Sequence, residues 1–390
     1  MSGTTLDLSA DQKRAHDTVV DWLRSRSGKL MTLGGYAGTG KSTTLGAIAR
    51  TLKKRDEHLA IAFACFTGKA AHGLRLKLEA ARVLDEDGGD YCGTLHGLLY
   101  EAVRLPSGGV RWRRRPRSEM AYGLFVLDEA SMVDEPLLKD LSSYGIPILA
   151  VGDHGQLPPI NGALNLMKNP DLRLEKIHRQ AEDSPIIRLS MMARLDGKIP
   201  VGAYGPGVYK TTDASILDRL RDPKAGVVLC ATNRTRGRIN RLLRKRCGHL
   251  EAEPQVGEPI IALKNDRDAG TYNGMVGILA SWKKAERATH AEAIINFPDA
   301  GVTWAGDALR AQFGAGKTLQ ATEDMPWQEL GGLFDWAYGI TTHKAQGAEF
   351  ENVVVIEETD HMKTDEEKRR WLYTAVTRAK QKLVIIGAPC

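Results

Sequence analysis

Residues Gly35-Tyr36-Ala37-Gly38-Thr39-Gly40-Lys41-Ser42 fit the pattern G-x-x-x-x-G-K-[ST] and follow the strand-like run Lys29-Leu30-Met31-Thr32-Leu33. The pattern demands a buried strand, a glycine-rich loop and a helix in immediate succession, so it fixes an α/β fold. Backbone N–H groups must approach a phosphate closely, which glycine permits, while Lys41 neutralises the β/γ oxygens and the Ser42 hydroxyl ligates Mg²⁺. Gly38, Thr39, Gly40, Lys41, Ser42 and Thr43 therefore form a candidate cradle for a nucleoside triphosphate. Thr43, Thr44, Leu45 and Ile48 continue as a helix whose positive N-terminal end faces the anion.

The chain has 390 residues, 42% of them hydrophobic. That exceeds what one core accommodates and predicts two main lobes with inserts. Net charge is +6, and the basic residues are clustered. Arg111-Trp112-Arg113-Arg114-Arg115-Pro116-Arg117 surrounds one tryptophan with arginines, and Arg234, Arg236, Arg238, Arg241, Arg244, Lys245 and Arg246 fall in a stretch without an acidic residue. Such clusters point to a polyanionic partner. Five cysteines without a C-x-x-C pair suggest neither a disulfide framework nor a zinc module, and a reducing cytoplasm fits best. No basic-apolar leader and no apolar run near the ~20 residues of a membrane span is present, so the expectation is a cytoplasmic protein without a membrane partner.

Short apolar runs alternate with helix-length segments: Ile61–Cys65, Leu124–Leu127, Ile146–Val151, then Val227–Ala231, Val353–Ile356 and Leu383–Ile386. Runs apolar on both faces read as buried parallel strands, so each half of the chain predicts its own α/β lobe. Two stretches depart from this rhythm. Glu101–Leu105 and Val110–Arg113 flank Pro106-Ser107-Gly108-Gly109, which predicts a basic hairpin. Between about Leu263 and Asp335, glycines punctuate short alternating runs, which predicts a small β-rich insert.

Leu124-Phe125-Val126-Leu127-Asp128-Glu129 places two carboxylates at the carboxyl end of a buried strand, where open α/β sheets gather ligands. Asp128 would hold Mg²⁺ directly or through water, and Glu129 could orient and deprotonate an attacking water. Gly152-Asp153-His154-Gly155-Gln156-Leu157-Pro158-Pro159 sets the amide of Gln156 on a stiff turn after the next strand. There it can bond both a γ-phosphate and the attacking water.

Asp128-Glu129-Ala130-Ser131, Gly152-Asp153 and Gln156-Leu157-Pro158-Pro159 resemble the superfamily 1 DNA helicases, particularly the RecD- and Dda-like branch, superfamily 1B. The resemblance runs from Leu8 to Ala379. Leu8-Ser9-Ala10-Asp11-Gln12 is similar to the glutamine motif, which implies that Gln12 reads adenine, and hence that the nucleotide is ATP. Ala64-Cys65-Phe66-Thr67-Gly68-Lys69-Ala70-Ala71 and Gly93-Thr94-Leu95-His96 resemble DNA-contacting motifs, implicating Thr67, Lys69, Thr94 and His96. The segment ending His178-Arg179-Gln180 implies that Arg179 faces the γ-phosphate. Tyr338 to Gly347 resembles a motif touching both DNA and nucleotide, which implicates Thr341, His343, Lys344 and Gly347. Leu372-Tyr373-Thr374-Ala375-Val376-Thr377-Arg378-Ala379 resembles the motif whose arginine, here Arg378, acts as the finger. Lys264-Asn265-Asp266 and Tyr272 to Gly277 are similar to the start of this branch's SH3-like insert.

The expected fold is α/β, with two RecA-like parallel-sheet lobes. Residues 1–99 and 118–180 would form lobe 1A around a hairpin insert 1B at 100–117; residues 181–262 and 335–390 would form lobe 2A around an SH3-like insert 2B at 263–334. The resemblance implies ATP hydrolysis between the lobes, with Lys41, Glu129, Gln156, Arg179 and Arg378 catalytic. It also implies 5′ to 3′ movement on single-stranded DNA, unwinding of duplex and fork DNA, and work in replication, recombination or repair, with a single-strand-binding protein or other such factors as partners. Short flanks around the motifs suggest a near-minimal motor in a bacterial cell or a phage-infected host. Within the hairpin, Arg113 could grip phosphate and Trp112 could stack on a base. Two rivals stay open: a translocase that strips proteins from single strands and unwinds poorly, and a small-molecule kinase, which the second lobe argues against.

Overall fold

The computed structural model describes residues 8–25, 28–104, 110–158, 164–177, 183–219, 226–266, 269–271, 273–298, 301–322, 325–326 and 329–387. Side chains at 102–104, 110–112 and 218–219 lie outside this description. The chain divides into two compact units, one drawn from residues 1–103 and 112–187 and the other principally from 188–390.

In the first unit the strands are β1 (Leu30–Gly35), β2 (Ile61–Cys65), β3 (Tyr91–Thr94), β4 (Tyr100–Arg104), β5 (Val110–Arg114), β6 (Leu124–Asp128), β7 (Ile148–Gly152) and β8 (Leu172–Leu174). Six of them form one sheet in the order β3-β2-β6-β7-β1-β8, every pair parallel. Because all strands run the same way, all their carboxyl ends emerge on one edge. The helices are α1 (Ala10–Ser25), α2 (Lys41–Arg55), α3 (Gly68–Ala80), α4 (Leu95–Leu99) and α5 (Glu135–Ser142). They cover the sheet with apolar side chains: Leu45, Ile48 and Leu52 of α2 join Val19 and Val20 of α1 over Leu33, Phe63 and Val126. Strands buried on both faces are apolar throughout, as β2 and β7 are, which is what made them legible in the sequence. Strands β4 and β5 pair separately as the expected hairpin; its turn, at 105–109, lies outside the described residues.

The second unit repeats the principle. It contains β9 (Gly202–Gly205), β10 (Val208–Thr211), β11 (Val227–Cys230), β12 (Pro259–Ala262), β13 (Val276–Lys284), β14 (His290–Phe297), β15 (Val302–Leu309), β16 (Phe334–Trp336), β17 (Gly339–Thr341), β18 (Phe350–Ile356) and β19 (Ala379–Ile386). One sheet runs β17-β11-β18-β19-β10-β9, parallel except at its β10–β9 edge. A second sheet, β15-β14-β13-β12-β16, is antiparallel. In β14 burial alternates residue by residue, the mark of a sheet with one wet face. Helix α6 (Pro185–Leu195) lies at the junction in sequence, and α7 (Asn233–Arg246) and α8 (Asp365–Val376) belong to the second unit.

The α/β class is therefore as expected, with one parallel sheet and one parallel but for its β9 edge. No helix among the described residues is long and apolar enough to cross a membrane.

Candidate nucleotide and nucleic-acid sites

Three neighbouring strands of the first sheet, β6, β7 and β1, end in the three segments singled out above. After β1 the loop turns through Gly38 at φ 80° and Gly40 at φ 77°, left-handed conformations that suit glycine. Gly40 is the N-cap of α2 and supplies no side-chain acceptor, so the first-turn N–H groups of this helix keep their polarity for an anion. Lys41 Nζ donates to the Gly35 carbonyl at 2.7 Å and to that of Tyr36 at 3.2 Å. Buried Thr39 braces the loop by donating to the Tyr36 carbonyl at 2.8 Å, while Thr43 is exposed. Ser42 Oγ accepts from Lys77 Nζ at 3.4 Å.

Gln12 is only 1% exposed. Its Nε2 donates to the Thr39 carbonyl at 3.1 Å and its Oε1 accepts from the Ser9 N–H at 3.0 Å. The glutamine thus ties α1 to the phosphate loop. Its neighbour Asp11, unassigned in the sequence reading, accepts the N–H groups of Glu175 and Lys176 at 3.1 Å each. Partial burial alone would raise its carboxyl, but the bond from the Ser9 hydroxyl, followed by these backbone N–H groups, holds it below the usual range. Arg179, three residues further on, lies outside the described residues.

At the end of β6, Asp128 accepts the Glu129 N–H at 2.9 Å. Glu129 itself has φ 55°, a costly conformation for a side chain other than glycine, and such strain gathers at working sites. After β7, Asp153 is 1% exposed. It accepts from the Gly155 N–H at 2.9 Å and, at a long 3.5 Å, from Gln156 Nε2. Lys41 Nζ stands 3.9 Å from its Oδ2. Asp153 thereby holds the loop lysine and the candidate water-orienting amide in one cluster, a role its place in the sequence did not disclose. The donor set suits a triphosphate with Mg²⁺: an uncapped helix end, a lysine, the Ser42 hydroxyl and the paired carboxylates.

The next strands along the same edge carry the candidate DNA contacts. Register aligns Thr94 with Cys65 and Cys65 with Asp128, so β3, β2 and β6 end abreast. Thr67 caps α3, accepting from Ala70 N–H at 3.2 Å, and Thr94 caps α4, accepting from Gly97 N–H at 3.1 Å. Each hydroxyl accepts through oxygen and retains its own hydrogen for an outside acceptor. Lys69 is half-buried at the start of α3. His96 lies between rings, 5.9 Å from Phe66 and 6.1 Å from Tyr100.

In the hairpin Arg113 is paired with Glu101 at 2.6 Å and Arg115 with Glu119 at 2.9 Å. Arg114 reaches Asp140 at 3.4 Å and Ser143 Oγ at 3.0 Å and stands over the Tyr144 ring. Tyr100 also donates to Asp140, so the end of α5 grips both strand roots. Burial, then the bond to Asp140, pushes the Tyr100 hydroxyl well above its ordinary value. The Trp112 side chain is outside the described residues.

In the second unit β17 ends in Thr341, whose hydroxyl accepts from the Lys344 N–H at 3.4 Å, and Gly347 turns at φ 72°. Burial, with Arg236 nearby, pushes Lys344 down to about 8. Burial also lowers His343 from its ordinary value, against the pull of Glu367. Arg378 is 4% exposed and donates to the Thr374 and Ala348 carbonyls and to Thr377 Oγ1 at 3.0 to 3.1 Å. Those three bonds use three of its five N–H groups.

A family model described as an AAA domain matches residues 7–204. The chain belongs to the AAA-domain family. A second model, a UvrD-like helicase C-terminal domain, matches residues 337–386. The ATP-dependent RecD2 DNA helicase of Deinococcus radiodurans is 27% identical over 92% of this chain and 47% of its own length. The ATP-dependent DNA helicase dda of Enterobacteria phage T4 is 25% identical over 65% of this chain and 61% of its own. The chain thus spans about half to two thirds of the length of these two curated relatives. Among solved structures, Bacteroides Pif1 bound to single-stranded DNA aligns over 99% of this chain and 93% of that one with TM-score 0.55 and 18% identity, a likeness of fold. The matches bear out the recognition of a RecD- and Dda-like superfamily 1B chain, and an AAA domain implies use of ATP.

Proposed function

We propose that this AAA-family chain is an ATP-driven motor that moves 5′ to 3′ on single-stranded DNA and unwinds duplex at forks, working in the cytoplasm. One observation carries the reading. A single edge of the first sheet presents, strand by strand, Thr94, Thr67, Asp128 with Glu129, Asp153 with Gln156, and the phosphate loop. Groups suited to a phosphodiester strand and groups suited to a triphosphate share one sheet edge.

Lys41 and the α2 N-terminus bind and orient the β/γ phosphates, and Gln12 and Thr39 keep the loop in shape. Mg²⁺, held by Ser42 and Asp128, would supply charge neutralisation at the transferred phosphoryl. Glu129 accepts the proton of the attacking water, and Gln156, steadied by Asp153, orients it. Arg378 and Arg179 are proposed to stabilise the charge that develops, an effect worth ~10³–10⁵ in rate for an arginine finger. Thr67, Thr94 and Thr341 are proposed to donate hydroxyl hydrogens to phosphates, and Lys69, Lys344, His96, His343 and Arg113 are proposed as further strand contacts; such contacts carry no base sequence. Gly347 is proposed to sit beside the nucleotide. A single-strand-binding protein, or other replication and repair factors, are proposed as partners.

Lys41→Ala tests the core of this. It should abolish ATP hydrolysis stimulated by single strands while leaving strand binding within a few-fold of wild type. Hydrolysis at the wild-type rate would remove the phosphate loop from the mechanism.

A further inference from the structure

Helix α7 carries a charge that neither the nucleotide nor the strand motifs use. Its fourteen residues, NRTRGRINRLLRKR, contain seven basic side chains and no acid, more than the +6 net charge of the whole chain. The two faces of the helix treat these charges differently. The buried arginines are neutralised: Arg236 pairs with Asp335 at 3.1 Å, and Arg244 forks onto Glu258 at 2.6 and 3.1 Å while lying over the Trp336 ring. Four of the exposed ones are not. Arg234, Arg238, Arg241 and Lys245 form a row with i, i+4, i+7 and i+11 spacing, and no carboxylate among the described residues lies within ion-pair distance of them.

This arrangement works against the helix. Like charges one turn apart repel, and Arg234 near the N-terminus opposes the helix dipole. A row kept in spite of that cost fits a partner that supplies the missing negative charge. The row spans about 16 Å of helix, the rise of about five base pairs along one strand. The four side chains of the row include no aromatic to stack an unpaired base, so the row meets phosphates only.

We propose that the exposed face of α7 is a second nucleic-acid surface, which takes the phosphate backbone of duplex DNA independently of sequence. The proposal rests on the DNA-motor reading above and adds to it a grip on duplex separate from the single-strand contacts.

The test is a variant carrying Arg234→Gln, Arg238→Gln, Arg241→Gln and Lys245→Gln, since glutamine keeps helix propensity. A control removes equal charge elsewhere through Lys54→Gln, Arg55→Gln, Lys283→Gln and Lys284→Gln. Binding to a short blunt duplex and to oligothymidylate is measured across a salt series, with strand-stimulated ATP hydrolysis alongside. The α7 variant should fold with an unchanged or higher melting temperature. Its salt slope on duplex should fall by about 3 to 4 and its duplex affinity at least about tenfold at low salt. Oligothymidylate binding and hydrolysis should stay within about twofold, and the control should keep the wild-type duplex slope. Unchanged duplex binding, an equal loss on oligothymidylate, or an equal loss in the control would overturn the proposal while strand-stimulated hydrolysis persists. A wild-type protein whose hydrolysis ignores single strands would overturn the underlying reading as well.

Discussion

Lys41 lies against two neutral carbonyls with a buried carboxylate 3.9 Å away. Phosphate pairs the ammonium with a full negative charge where the carbonyls offer only dipoles, so triphosphate can draw the lysine off those carbonyls. Asp153 remains fixed by the Gly155 N–H when that happens. Asp153→Asn should therefore lower kcat by about tenfold or more through misplacement of Gln156, with a smaller change in KM for ATP, as steady-state kinetics would show. Equal kcat would mean that the carboxylate only supports the loop. Lys344 offers a second residue-scale prediction. Its depressed value means that the cation is present below pH about 8 and lost above it. Phosphate favours the cation, so strand binding takes up a proton as pH rises through this value, and affinity should fall across that window in a fluorescence titration. Lys344→Arg should flatten the fall, because a guanidinium stays charged. The phosphate-loop residues were legible in the sequence because their chemistry demands fixed types at fixed spacing. Asp153's link to Lys41 was not, since it joins residues 112 positions apart that meet only when β7 pairs with β1.

Among the elements, strands apolar on both faces announced themselves, whereas β3, β8 and β17 did not. Each is three or four residues long and gains its place from its neighbours' hydrogen bonds. The hairpin illustrates the same limit. Its two strands are readable from turn composition, but the ion pairs that Arg113, Arg114 and Arg115 make with Glu101, Asp140 and Glu119 are not. Helix α5 is capped by Asp134, a few positions beyond the Asp128-Glu129 pair, and ends on the hairpin roots. It is thus a physical link between the nucleotide carboxylates and the hairpin. The exposed Arg114–Asp140 pair is worth only ~0.2–1 kcal/mol by itself, while the Tyr100 bond to a carboxylate is worth ~1.5–3 kcal/mol. Asp140→Asn should reduce base pairs opened per ATP several-fold with hydrolysis on unstructured strands nearly unchanged. A double-mutant cycle with Tyr100→Phe should show coupling. Parallel losses in unwinding and hydrolysis would reduce the hairpin to a general grip on DNA.

On the scale of the whole chain, the same device appears twice: a sheet of mainly parallel strands, residues of the candidate sites at or beyond its strand ends, and strands that pair in a separate sheet. The pattern of apolar runs conveyed this division, since each buried strand needs a covering helix before the next. Arg378 is the residue whose role depends most on the whole molecule. It is satisfied within its own unit, with two N–H groups left over, so Arg378→Ala should depress strand-stimulated hydrolysis by ~10³-fold while strand binding persists. Direction of travel is the central claim that joins nucleotide, strand and duplex. It is tested most directly by following strand separation and phosphate release together on matched duplexes bearing either a 5′ or a 3′ single-stranded tail. Unwinding of the 5′-tailed duplex alone, with hydrolysis on both tails, is the predicted result; unwinding confined to the 3′-tailed duplex, or hydrolysis with no unwinding of either, would contradict it.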